Sequence, residues 1–243
     1  AISRSWHAGM VACMGSGLIE MAGAFSADRL RRWLPRAALL STLAGIALGY
    51  IALGFLLRTY AHPLVGLSSL AVIVLGYYAK VRWPLPTGLM AVLLGMVLAW
   101  SSGLIAPSPG AWEDSIRTIS WHPPTLQLQI LWGNRTDLFP WLGVIVPMGL
   151  FNVIGSLQNL ESAEAAGDRY ATRTCLLIDG IGTLAASALG SCFPTTIYIG
   201  HSGFKDMGAR SGYSWLNGVV MSAACFFGLF ELLALLIPID AGM

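Results

Sequence analysis

The residue types that could do chemistry are concentrated in two segments that interrupt otherwise apolar sequence. In the first, Gly149 to Tyr170, the polar residues Asn152, Ser156 and Asn159 recur at intervals of four and three, so they share one face of a helix. Buried polar groups in an apolar helix are costly unless they meet a cavity or a partner. The spacing favours a helix that lines a polar site for Asn152, and hydrogen bonding between helices is the alternative.

The second segment, Gly190 to Ser214, contains the stretch 191–210, which is too polar and glycine-rich for an ordinary membrane span. We predict a short β-strand at 195–199, bounded by Pro194 and Gly200, followed by a half-helix that opens at Gly203. Broken helices of this kind hold the substrates of many transporters, because free backbone N–H groups face the ligand. The candidate substrate-binding residues are Asn152, Ser156, Thr195, Thr196, Tyr198, Gly200, His201 and Gly203.

His201 is the candidate for coupling transport to a proton, because the unperturbed pKa of histidine lies near physiological pH. The alternative is a histidine that only forms hydrogen bonds. The four cysteines stand singly in apolar or small-residue stretches, with no spacing that indicates a metal site or a disulfide framework. We therefore expect no metal and no cofactor, other than a coupling proton or sodium ion. No Ser/His/Asp arrangement, HExxH or phosphate-binding loop indicates an enzyme.

Composition places these segments in a membrane protein. Of 243 residues, 56% are hydrophobic and 11% are charged, whereas soluble domains carry about 25% charged residues. The excess apolar surface is expected to face a lipid bilayer. The net charge of +2 argues against a nucleic-acid partner, which requires a concentrated basic patch.

Seven apolar stretches approach the length of a membrane span, about 20 residues. Lysine and arginine cluster after the first, third and fifth of them, which places the loops 29–36, 80–82 and 169–173 in the cytoplasm. Glu161, Glu164 and Asp168 are then expected near the cytoplasmic surface. The loop 103–140, with three tryptophans, is expected along the outer interface, where anchoring is favoured over ligand binding. The predicted spans are 7–25, 37–57, 63–79, 87–102, 141–160, 175–189 and 213–237.

Three motifs resemble the nucleobase–cation symporter family of xanthine, uracil, purine and ascorbate permeases. They are GLFNVIGSL, similar to the family's eighth helix, DGIGTLAASALGS, similar to its ninth, and PTTIYIGHSG, similar to the strand and half-helix that follow. The resemblance implies an all-α polytopic protein that is part of a 7+7 inverted-repeat transporter. It also implies a bacterial plasma (inner) membrane location and marks this chain as an internal fragment.

The resemblance further implies a division into core and gate domains. Residues 1–36 would be a core-domain helix with its cytoplasmic loop, 37–102 the gate-domain helices, and 141–243 the core-domain helices with the strand. The acidic positions of the family fall on Asn152 and Gly200, so both expected carboxylates are absent. Glu20 is expected too close to the cytoplasmic end of its helix to replace them.

The function expected from these features is a permease that moves a nucleobase-like substrate by alternating access, coupled to an ion. Tyr198 or Phe204 would stack on the substrate. A first alternative is an anion carrier resembling sulfate permeases, with His201, Lys205 or Arg210 favouring negative charge. A second is a non-transporting, truncated relative that acts through protein partners. A homodimer is a further candidate assembly.

Overall fold

The computed structural model describes residues 2–81, 83–104, 108–127 and 141–237. In these residues the regular structure is helical. The helices are α1 (Ile2–Trp33), α2 (Arg36–Ile46), a π-helical stretch (Ala47–Ala52), α3 (Leu53–Ala61), α4 (Pro63–Tyr77), α5 (Thr87–Ser101), α6 (Ala111–Arg117), α7 (Leu142–Ala165), α8 (Thr172–Ala188), α9 (His201–Asp206), α10 (Gly212–Phe226) and α11 (Phe230–Leu236).

Three of the described helical segments are long and apolar enough to cross a membrane: Ser5–Trp33, Arg36–Ala61 and Leu142–Ala165. Large apolar side chains on these and neighbouring helices are exposed, such as Phe151 at 66% and Ile178 at 65%. Apolar surface of this extent requires lipid rather than water. The prediction of a membrane-embedded helical protein is confirmed.

The last predicted span, 213–237, is not one straight helix. α10 and α11 meet at an angle of 102°, and form a fourth candidate span only if the bent pair crosses together. Gly228 lies between them with a φ of 65°, a left-handed conformation that glycine adopts at little cost and that commonly ends a helix. The helices α4 and α5, at the third and fourth predicted spans, have 15 residues each.

The chain divides into two units. The first comprises Ala1–Gly45 and Pro124–Gly212, and the second comprises Ile46–Pro123 and Tyr213–Met243. The core and gate domains expected from the family resemblance remain predictions. Residues 105–107 and 128–140 of the tryptophan-rich loop, including Trp132, lie outside the described residues. In the second unit Trp121 stacks on Phe226, with ring centroids 5.3 Å apart, and Thr118 donates to Glu231 at 2.6 Å.

The first unit is built around α1, which packs against both α7 and α8. Glycines permit the close approach to α7: a Cβ at Gly15 would clash with Ile145, and one at Gly23 would meet Val153 at 2.9 Å. Small residues at such intervals let helices approach closely in membranes. Residue numbers rise together along this contact, so α1 and α7 are parallel. Along the contact with α8 they run in opposite senses, from Cys13 beside Thr183 to Gly17 beside Gly180.

Candidate functional site

The centre of the first unit is a polar cluster buried between α1, α7 and α8. Glu20 is fully buried. Its carboxylate accepts hydrogen bonds from Asn152 Nδ2 at 2.8 Å and from Ser156 Oγ at 2.9 Å. Asp179 of α8 adds a second carboxylate, with Oδ2 lying 3.3 Å from Ser156 Oγ. The cluster therefore joins three helices through two acidic side chains.

The expectation that Glu20 lies too close to the end of its helix is wrong. The predicted first span covered 7–25, whereas α1 extends from Ile2 to Trp33, which places Glu20 near its middle. The parallel packing of α1 on α7 then sets Glu20 opposite Asn152 and Ser156. Glu20 supplies a carboxylate beside Asn152, where the family resemblance leads one to expect an acid.

The segment after α8 contacts this cluster through its backbone. No strand forms at 195–199; the described backbone there has no regular structure and turns at 199–200. Side chains of α7 form the hydrogen bonds to this backbone that a neighbouring strand would otherwise form. Asn152 Nδ2 donates to the carbonyl of Thr195 at 3.1 Å, and Asn159 Nδ2 donates to that of Ile197 at 2.5 Å. Non-helical backbone at membrane depth requires partners of this kind.

Thr183 and Thr195 fasten the same segment to α8. The amide of Thr195 donates to Thr183 Oγ1 at 3.0 Å, and the two hydroxyls lie 2.8 Å apart. Thr195 Oγ1 also donates to the backbone carbonyl of Asp179 at 2.9 Å. Thr183 is fully buried, so this junction is a fixed part of the cluster.

Of the eight predicted binding residues, three lie in this cluster: Asn152, Ser156 and Thr195. Thr196 and Gly203 are exposed, and a Cβ at Gly203 would meet nothing within 4 Å. Tyr198 is also exposed, with its ring 5.4 Å from that of Phe204. Gly200 immediately precedes α9, which begins at His201 rather than at the predicted Gly203.

His201 belongs to a second polar group, in which Asp168 accepts from His201 and Lys205. Asp168 Oδ2 lies 2.8 Å from His201 Nε2 and 2.8 Å from Lys205 Nζ, and Lys205 also donates to the carbonyl of Ala166 at 2.7 Å. The Lys205 ammonium, followed by His201, lowers the pKa of Asp168 below its usual value of 3.8. These contacts tie the six-residue helix α9 to the end of α7.

This pairing predicts an acid-sensitive contact. Because the pKa of Asp168 is depressed in the folded protein, its stabilising effect is present above the unfolded value and is lost as pH falls through the folded one. We expect the thermal unfolding midpoint in detergent to fall between about pH 5 and pH 3, and Asp168→Asn to reduce that dependence. Asp206→Asn, an exposed carboxylate on α9, is the control. An unchanged profile in Asp168→Asn would contradict the assignment.

The same end of the first unit carries an ion-pair network. Arg31 donates through Nε to Glu161 at 2.5 Å, through Nη1 to Thr172 at 3.0 Å and through Nη2 to Glu164. Arg36 Nε lies 3.0 Å from Glu161. Glu161 is only 5% exposed, so its carboxylate is shielded from solvent. The arginine-rich loops 29–36 and 169–173 therefore lie at one end of the unit, as the charge pattern indicates.

Sequence reasoning missed Asp179 and Thr183 and misplaced Glu20. A usable signal was present, since a carboxylate within an apolar helix needs a partner in the membrane, and Glu20 and Asp179 both lie in such helices. Comparison with known proteins adds no relative: no family model, curated protein or solved structure matches this chain.

Proposed function

We propose that this chain is part of a membrane permease that moves a small, flat, polar solute of the nucleobase type by alternating access. The observation that carries the proposal is the interrupted helical path at 189–200, whose backbone carbonyls are bound by Asn152 and Asn159 beside the buried carboxylate of Glu20. Such an arrangement is costly in a purely structural membrane bundle. It resembles the broken helices at which transporters hold their substrates.

The chemistry of the cluster suits a nucleobase edge. Such a heterocycle alternates N–H donors and C=O acceptors, and the cluster combines carboxylate acceptors, an amide and hydroxyl groups. Tyr198 and Phe204 lie next to the bound segment and would supply an aromatic face. The substrate class depends on the resemblance to xanthine, uracil and purine permeases, and the polar cluster supports it independently.

The anion-carrier alternative has less support. It requires positive charge at the start of α9, but His201 and Lys205 both bond to Asp168, which compensates that charge. The cluster beside Asn152 contributes carboxylates, which disfavour a bound anion. The non-transporting alternative gives no role to the polar groups gathered between the apolar helices. Protein contacts elsewhere on the chain are compatible with that alternative.

Uptake of radiolabelled uracil and xanthine by cells that produce the protein tests the proposal. Asn152→Ala removes a donor to both Glu20 and Thr195, and we expect uptake to fall about tenfold or more, because loss of a hydrogen bond to a charged group costs about 1.5–3 kcal/mol. Uptake is normalised to the amount of protein in the membrane. Asn217→Ala, an exposed asparagine in α10, is the matched control.

Three results would contradict this proposal. The absence of saturable uptake for either base, with protein correctly inserted, would remove the nucleobase class. Sulfate or bicarbonate uptake in the same cells would favour the anion carrier instead. Unchanged uptake in Asn152→Ala would place the substrate away from this cluster.

A further inference from the structure

The two carboxyl groups of the cluster meet at one hydroxyl group. Glu20 Oε1 lies 2.9 Å and Asp179 Oδ2 lies 3.3 Å from Ser156 Oγ. A hydroxyl group has one hydrogen to donate, and an ionised carboxylate is an acceptor only. One proton held by the pair supplies the donor that the second contact lacks.

The described neighbours of the pair do not supply a compensating positive charge. Asn152 and Ser156 are neutral donors, and Arg31, farther along α1, is bonded to Glu161, Glu164 and Thr172. Two carboxylates that share a buried site cannot both ionise without large cost. Two thiols lie on the same helices: Cys175 of α8 interacts electrostatically with Asp179, and Cys13 of α1 bonds to the carbonyl of Thr183.

Ser16 is a buried hydroxyl beside the acidic pair that is available as a donor. It is fully buried, and its Oγ has no hydrogen-bond partner among the described residues. It lies one helical turn before Glu20 on the same face of α1, and the Glu20 side chain leans toward it, because helix side chains lean toward the N-terminus. A Glu20 carboxylate that has lost its proton would therefore have a further donor on the same helix.

We propose that Glu20 and Asp179 form a proton-binding site that holds one exchangeable proton between them. The role of this site in coupling transport to a proton depends on the proposed function, whereas the binding of a proton at the site does not. Release breaks one O–H bond and transfers the proton to water, leaving two carboxylates. Loss of the proton affects the segment at 195–197 directly, because Asn152 Nδ2 donates to both Glu20 and the carbonyl of Thr195.

Infrared difference spectroscopy of the purified protein in lipid vesicles tests the site without any substrate. As pH is raised, we expect loss of one carboxylic-acid C=O stretching band. In Glu20→Gln and in Asp179→Asn the remaining acid has no acidic partner with which to share the proton, so the band should disappear. Glu20→Gln preserves the shape of the side chain, and Asp179→Asn provides a second variant on another helix. Glu113→Gln, an exposed acid on α6, should keep the wild-type band.

The outcomes separate this inference from the proposed function. A band that is unaffected in both variants, or absent from the wild type, overturns the proton site even if uptake is measured. A band that behaves as expected, in a protein without uptake, supports the proton site and rejects the permease. A band that is lost at constant pH when sodium chloride replaces choline chloride overturns the inference in favour of a sodium site.

Discussion

Arg31→Ala is expected to lower the free energy of unfolding by about 3 kcal/mol, because removing one partner of a buried ion pair leaves a charge without compensation. Arg31 lies at the end of α1 and bonds to Glu161 and Glu164 of α7 and to Thr172 of α8. One side chain thus holds three helices together. The measurement is the thermal or denaturant unfolding of the purified protein in detergent.

The size of the effect depends on the burial of Glu161. This carboxylate is 5% exposed, and after the substitution its remaining ion pair is with Arg36, a half-exposed side chain 3.0 Å away. Arg31→Lys should retain part of the stability, because a lysine can reach one acceptor but lacks the planar group that bonds several. Arg29→Ala, an exposed arginine one half-turn earlier on α1, is the control. Equal stability of Arg31→Ala and Arg29→Ala would contradict the role of the network.

Gly180→Ala is expected to destabilise the protein by about 2 kcal/mol through overpacking. A Cβ at Gly180 would lie 2.5 Å from Met21 Cγ, 3.0 Å from the carbonyl oxygen of Gly17 and 3.1 Å from the amide nitrogen of Met21. Two of these atoms belong to the backbone of α1 and cannot rotate away. The helices α1 and α8 would have to separate, which would disturb the contact between Glu20 and Asp179.

Gly155→Ala gives the matched comparison, since a Cβ at Gly155 of α7 would meet nothing within 4 Å. There the substitution should raise stability by up to about 1 kcal/mol, the difference in helix propensity between the two residues. The two Gly→Ala variants are thus predicted to change the unfolding midpoint in opposite directions. A midpoint unchanged or raised in Gly180→Ala would show that the helices are not in close contact at this point.

The sequence by itself determined that the chain lies in a membrane and where several helices run. Long apolar stretches with few charges have no other stable environment, and the helices at 142–165 and 172–188 lie where hydropathy places them. Helical spacing also puts Asn152, Ser156 and Asn159 on one face, and all three side chains are buried. These properties are local, since they depend on composition and on the 3.6-residue period of a single helix.

Only the tertiary structure decided which residues contact this polar face of α7. Glu20 is 132 positions from Asn152 along the chain, and nothing in either segment specifies the register between their helices. That register follows from close contacts such as Gly15 against Ile145 and Gly23 against Val153. Likewise, the β-prone residues at 195–199 form no strand in the described structure, because Asn152, Asn159 and Thr183 bind their backbone groups instead. Hydrogen-bond partners between elements depend on packing, which local sequence does not encode.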